Sequence, residues 1–284
     1  MTEIHAGTHA PPIEPVEITR SAGREPTLRG ISTSSMSGGR FLRIGLGMVV
    51  LAVLVWHLGT GPFVDGLRAT SPWAVLVALV VTAGTTWCCA ARWSLLSARV
   101  GAPVPLRTAY VAYYRSQLVN ATLPGGVVGD VDRGLRHGWR GVLWDRGLGQ
   151  VVQVALVLVL VLPSPYRWFA AVLVAGLPVA GGAVVLLSAG AVAGHLVVFL
   201  AAATAAGVSL SPLALLPVGA LVLLGSAIPF NVAGWGPREG VAAWAFAAAG
   251  STATVGLTVA VTFGVLATIA TLPGLLTLRR TRHA

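Results

Sequence analysis

The sequence predicts an all-α, polytopic helical membrane protein of about seven or eight spans, with re-entrant or broken helices and a weak internal repeat. Three observations lead there. First, 55% of the 284 residues are hydrophobic and only 10% charged, with mean hydropathy +0.81, whereas soluble domains carry about 25% charged residues. Second, the apolar residues fall into runs that approach the ~20 a helix needs to cross the hydrocarbon core. Third, the basic residues, all nineteen of them arginine, gather between those runs in the manner of charged membrane loops. A net charge of +10 would suggest nucleic acid for a soluble chain. Here the arginines flank apolar segments, so anionic lipid is the expected partner and nucleic acid is not.

Along the chain, residues 1–39 mix Pro, Ser, Thr, Gly and charges of both signs without a periodic apolar face, which predicts a disordered cytoplasmic tail. The first apolar run begins near Phe41, far from Met1, so it reads as a retained span and not a cleaved signal. The transmembrane domain then occupies 40–278, with apolar runs at 41–58, 73–96, 148–166, 168–187, 190–208, 212–229 and 240–277; residues 279–284 form a short basic tail. The last run is either two short spans meeting near Gly250-Ser251-Thr252 or a half-helix followed by one full span. Residues 107–122 carry Tyr110, Tyr113, Tyr114, Arg115, Gln117 and Asn120, too polar for a lipid-facing span, and predict a buried or re-entrant helix.

Arginine placement sets the orientation. Arg20, Arg24, Arg29, Arg40 and Arg43 precede the first span, while the loop after it holds only Asp65 and Arg68, so the N-terminus is expected in the cytoplasm, at the inner (plasma) membrane. Arg92, Arg99 and Arg107 fall on the same side, as does a loop holding Arg133, Arg136, Arg140 and Arg146. Eight spans bring Arg279, Arg280 and Arg282 inside too; seven leave them outside. Cys88 and Cys89 read as small buried residues, and His57 and His195 as buried or interfacial, with no second ligand at helical spacing and hence no metal site.

The acidic residues are informative because they are few. Outside the tail only Asp65, Asp130, Asp132, Asp145 and Glu239 remain. Three stand in or just after LPGGVVGDVDR (123–133), and one stands beside Arg238 in IPFNVAGWGPREG (228–240). The two stretches match in spacing: Pro124, Val127, Gly129 and Arg133 against Pro229, Val232, Gly234 and Arg238. Such weak internal symmetry is common in transporter folds. Each stretch breaks a helix with Pro and Gly and then offers an arginine, and irregular backbone at membrane depth requires surrounding protein or a watery cavity. Pro237 suits the first position of a new helix. Arg238 just behind it opposes the helix dipole and needs an anion: Glu239, Asp130 or a ligand phosphate, which guanidinium binds in two-pronged fashion. Asp145 looks like the N-cap of the helix that follows, and Arg136 and Arg140 like interfacial residues.

At these residues the chain resembles the lysylphosphatidylglycerol synthase transmembrane-region family of flippase-like proteins. The resemblance rests on Asn120 with LPGGVVGDVDR, on Asp145-Arg146, and on AGWGPREG. It implies a helical bundle with re-entrant elements that binds lipid head groups and moves a phospholipid between leaflets. On that reading Arg238 and Arg133 contact phosphate and Glu239 and Asp130 hold those arginines or exchange protons. Asn120 and the backbone at Gly129, Gly234 and Gly236 approach the head group, supported by Asp132, Asp145, Arg146 and Arg115. No cofactor is expected, and enzymatic activity is not: the soluble aminoacyl-transferase domain that performs the chemistry in two-part synthases is not found in this sequence, and no extramembrane region is large enough to bind a nucleotide. Two other readings stay open: a membrane enzyme acting on a lipid-linked sugar, with Asp130 and Asp132 on a metal, and a scaffold that partners an envelope-biosynthesis enzyme.

Overall fold

A computed structural model describes residues 33–123, 126–162, 181–228, 231–232 and 234–278. Its elements are helices α1 Thr33–Leu58, α2 Gly61–Arg68, α3 Pro72–Arg99, α4 Leu106–Thr122, α5 Val128–His137, α6 Trp139–Val161, α7 Gly182–Ala205, α8 Pro212–Ser226, α9 Pro237–Ala248 and α10 Ala253–Thr271. A 3-10 turn at Leu272–Gly274 then leads into α11, Leu275–Leu278. Among the described residues the only bridge is an isolated antiparallel pair, Val232 with Trp235.

Four helices are long and apolar enough to cross a membrane: α3, α6, α7 and the stretch Ala253–Thr277. A fifth arises if the bent pair α1 and α2, which meet at 99°, is one broken span. The expected seven or eight also counted 168–187, most of which lies outside the described residues, and runs that fold into the 15-residue α8 and the 12-residue α9, shorter than the ~20 residues a full crossing needs. The run at 240–277 is therefore a half-helix followed by one full span. Gly250, at φ +82°, turns the chain between them, and Thr252 caps the next helix by accepting the Val255 amide at 3.2 Å.

Several boundaries depart from the sequence reading. Residues 1–32 and 279–284, with most of the proposed tails, lie outside the described residues, but 33–39 are helical and belong to α1. The connection after the first span is helix α2, seated on α10, where Thr262 Oγ1 donates to the Gly66 carbonyl at 3.0 Å. The stretch expected as a basic loop between Arg133 and Arg146 is almost wholly helical. Its first helix, α5, is inside out: Val131 and Leu135 are exposed, while Asp130 and Arg133 are buried. A search for apolar inward faces passes over such a helix.

Helices approach closely through small residues, the usual device where lipid removes the hydrophobic drive between helices. A Cβ at Gly194 of α7 would lie 2.2 Å from Thr85 Cγ2 of α3, and one at Gly256 of α10 would lie 2.4 Å from the Ala242 carbonyl oxygen of α9. Phe199, Phe246 and Phe263 fill the centre, with ring centroids 6.4 and 6.0 Å apart. Gly256→Val should lower detergent thermostability by about 1–3 kcal/mol, the typical cost of overpacking. Gly84→Ala, which meets nothing within 4 Å, should leave the melting temperature unchanged. Equal melting temperatures for both variants would refute this packing.

Candidate functional site

The site begins with Asp145, inside α6 and fully buried. It is not the N-cap expected, because the helix starts at Trp139. Its Oδ1 accepts from Arg92 Nε at 2.8 Å, and its Oδ2 accepts from the Tyr113 hydroxyl at 2.5 Å and from Arg133 Nη1 at 3.4 Å. Arg92, on α3, also donates to Ser188 Oγ on α7 at 3.0 Å. One carboxylate thus joins α3, α4, α5 and α6, and its arginine reaches α7.

Asp130, in the first turn of α5, is the second anchor. Its Oδ1 accepts from Arg133 Nη2 at 2.7 Å and from Ser116 Oγ at 3.3 Å, and its Oδ2 accepts from Asn120 Nδ2 at 3.1 Å and from Arg146. Burial would raise its carboxyl pKa, but Arg146 and Arg133 overcome that and hold it below the usual carboxylate range. Asn120 Oδ1 accepts the Gly129 amide at 2.7 Å, so one side chain ties the end of α4 to the start of α5. Gly129 is required there: a Cβ would lie 2.2 Å from the Ser116 carbonyl oxygen.

Arg133 is 1% exposed and its guanidinium carbon lies 4.0 Å from the Tyr113 ring centroid and 4.7 Å from that of Trp93. Paired with both aspartates and stacked on two rings, it clamps the helices together. It does not line the central cavity.

In the second motif, reciprocal hydrogen bonds of 3.0 Å between Val232 and Trp235 close a tight turn that contains Gly234 at φ +84°. Asn231 Oδ1 accepts the Gly234 amide at 3.1 Å. Pro237 then opens α9 as expected. Glu239, fully buried, accepts the Gly236 amide at 2.6 Å on Oε2 and Arg238 Nε and Nη2 at 2.8 and 2.5 Å on Oε1. It thereby caps the helix and supplies the anion that Arg238 needs against the dipole. Gly236, at φ +123°, lies against Gly47 of α1, where a Cβ would come 3.2 Å from the backbone.

The two motifs meet: a Cβ at Gly126 would lie 2.7 Å from Asn231 Nδ2. Between them are adjoining cavities of about 260 and 330 Å³ that share Gln117, Arg146, His195, Ser226, Arg238 and Phe263 among their lining residues. Arg146 is 54% exposed because it lies along this space. Neither Asp130 nor Glu239 lines it; each stands behind its arginine. The connected first cluster holds Arg92, Arg133 and Arg146 against Asp130 and Asp145, an excess of one positive charge beside the cavity.

Of the residues singled out in the sequence, Asn120, Gly234 and Arg238 line the cavity and Asp130, Gly129, Gly236 and Glu239 support it. Asp145 and Arg133 form the buried clamp, and Arg146, expected only to support, faces the cavity. Asp132 and Arg115 are elsewhere: Asp132 turns away from Asp130 to pair with Arg136 at 2.8 Å and Arg115 at 3.3 Å. The two aspartates therefore do not converge on one ion, and no group of three His, Cys, Asp or Glu suited to a metal occurs among the described residues. The sequence match between motifs does not carry into local structure, since Gly129 lies within a helix and Gly234 in a turn; Pro124 and Pro229 fall outside the described residues. Arg92 was missed, although an arginine inside the apolar run 73–96 was signal enough. Asn231 and His195 also escaped; His195 reads as an isolated buried histidine, and only the fold turns it to the cavity.

Fold and site together define a polytopic helical membrane protein with a buried ion network beside a polar, arginine-lined cavity. Residues 40–187 match the family described as lysylphosphatidylglycerol synthase TM region, just over half of the chain, and the chain belongs to that family. Membership puts it among membrane proteins of the lipid and cell-envelope area. The matched residues contain the first motif and end before the second. No curated protein and no solved structure matches the chain.

Asp145→Asn should cost about 3–5 kcal/mol, the range for breaking a buried pair, because it leaves Arg92 and Arg133 short of a charge. Asp132→Asn, at a partly exposed carboxylate, should be nearly silent. Thermal unfolding in detergent compares the two, and equal melting temperatures would remove Asp145 from its central place.

Proposed function

We propose that the central cavity receives the phosphate-bearing head group of a membrane lipid and that the protein carries this lipid between leaflets. The observation that supports the reading is the arrangement of charge: Arg146 and Arg238 face one cavity, while the carboxylates that hold them stand outside its lining. Two guanidinium groups held in place by their acids can grip a phosphate with paired N–H donors. Asn120, Asn231 and Gln117 add neutral polar groups, and Gly234 keeps the backbone of the second motif close to the space. A head group so held would cross in a shielded environment, since a bare phosphate in hydrocarbon is prohibitively costly. The arginine distribution supports a cytoplasmic N-terminus for this carrier. The divergence of Asp130 and Asp132 weighs against a metal-dependent enzyme acting on a lipid-linked sugar.

Arg238 gives the sharpest test. If it grips phosphate with two prongs, Arg238→Lys keeps the charge but should reduce retention of co-purifying anionic lipid about tenfold or more, because an ammonium cannot reproduce the planar fork. If it only neutralises Glu239, lysine is tolerated and the Arg238→Gln, Glu239→Gln double variant restores what Arg238→Gln alone loses. Native mass spectrometry reads retention, and movement of a head-group-labelled phospholipid in proteoliposomes reads transport. Full retention in the lysine variant, or rescue by the double variant, would overturn the head-group model.

A further inference from the structure

Outside the central cavity, the face of α4 opposite the network carries a second basic feature. Arg107, Val111 and Arg115 follow one another at four-residue steps, so they share a stripe of the helix. With Asp132, Arg133 and Arg136 of α5 they line a groove of about 670 Å³. Four arginines face a single carboxylate there, and burial together with Arg136 and Arg133 lowers the pKa of the neighbouring His137. Asp132 takes only one nitrogen each from Arg136 and Arg115, and Arg107 has no carboxylate partner among the described residues. Arg115 Nε has only the Asp132 carboxylate oxygen, 3.3 Å away, and Arg133 Nε is shut off from solvent with no hydrogen-bond partner. A buried guanidinium nitrogen is rarely left so, and its lack of a partner marks a place where an acceptor belongs.

The groove does not end in water. Val111 and Thr277 also line an adjoining slot of about 880 Å³ walled by Leu79, Val80, Tyr114 and Leu276. Leu76, Val80 and Leu276 are 63–71% exposed on this side, as suits a surface turned to acyl chains. A basic pocket for about one head group, continuous with an apolar slot, has the two-part chemistry of a phospholipid.

We propose that this groove and slot, between α3, α4, α5 and the C-terminal turn, bind an anionic phospholipid at a site distinct from the central cavity. Its phosphate meets Arg107, Arg115 and Arg136 and stands over Arg133, while its chains lie along Val80, Tyr114 and Leu276. The proposal does not depend on transport through the central cavity. It places the ligand against Arg133, whose other edge holds Asp130 and Asp145, so occupancy should stiffen the ion network.

The test uses the full chain carrying Arg238→Gln, which weakens the central cavity, in mixed micelles of phosphatidylglycerol and phosphatidylcholine, with bound lipid counted by native mass spectrometry. Adding Arg107→Gln and Arg136→Gln should lower phosphatidylglycerol retention about tenfold, from two lost surface charges, and leave phosphatidylcholine unchanged. Val80→Trp, which fills the slot without touching a charge, should lower it as well, and millimolar inorganic phosphate should not displace the lipid. Arg107→Gln alone, at a residue without an ion-pair partner, reads the same effect if the double variant is poorly folded. Unaltered retention in the folded arginine variants would overturn the site. Displacement by inorganic phosphate, or indifference to Val80→Trp, would overturn the lipid in favour of a free anion.

Discussion

A charge buried without a partner costs several kcal/mol, and this molecule buries six, Arg92, Arg133, Arg238, Asp130, Asp145 and Glu239, with Arg146 half-exposed beside them. The geometry follows from settling them. Asp145 cannot be satisfied by its own helix, so it draws Arg92 from α3, Tyr113 from α4 and Arg133 from α5. Those contacts fix where α5 lies, and with it where Asp130 can reach Arg146. The close glycine crossings are consequences as much as causes, since side chains of this length meet only if the backbones come near. Ser116 and Gly129 illustrate it: the Asp130 bond to Ser116 requires an approach that any Cβ at 129 would block.

The two motifs solve the same problem differently. In the first, arginines outnumber carboxylates, and the surplus faces the cavity through Arg146. In the second the pair is neutral: Glu239 is spent both on Arg238 and on the Gly236 amide, which leaves the outer edge of Arg238 between Trp235 and Phe263, 5.2 and 5.7 Å from their centroids. One wall therefore supplies net charge and the other an oriented cation with aromatic sides. On the proposed head-group reading, an anion between them would neutralise the first and be oriented by the second, a division of labour neither motif offers alone.

Much of this was legible in the sequence, for identifiable reasons. Helical class, the family, the broken helix at Pro237 and the pairing of Arg238 with an acid follow from composition and from the rarity of carboxylates. What could not be read was which acid serves which arginine, because that depends on the crossing of α4 over α5. The inverted helix α5 defeated apolar patterning, as its Val131 and Leu135 are exposed while Asp130 and Arg133 turn inward. Asp145 looked like a cap because the preceding seven residues, from Gly138 to Trp144, are not obviously helical in character. Arg92 looked interfacial because the rule that assigns arginines to loops counts position along the chain and not depth in the fold.

One contact bears on how the chain is made. Gly66 of α2 accepts its hydrogen bond from Thr262, 196 residues later. At ~5–20 residues per second of synthesis, α2 emerges roughly 10–40 seconds before the helix it packs against. During that interval α1 must hold the early segment at the membrane by its own apolar length, without its final neighbours. α10 is made after both of its partners and closes on α2 and on the arginine-bearing turn of the second motif. The order of birth leaves the cavity without one wall until Phe263, Gly264 and Ala267 of α10 have been made.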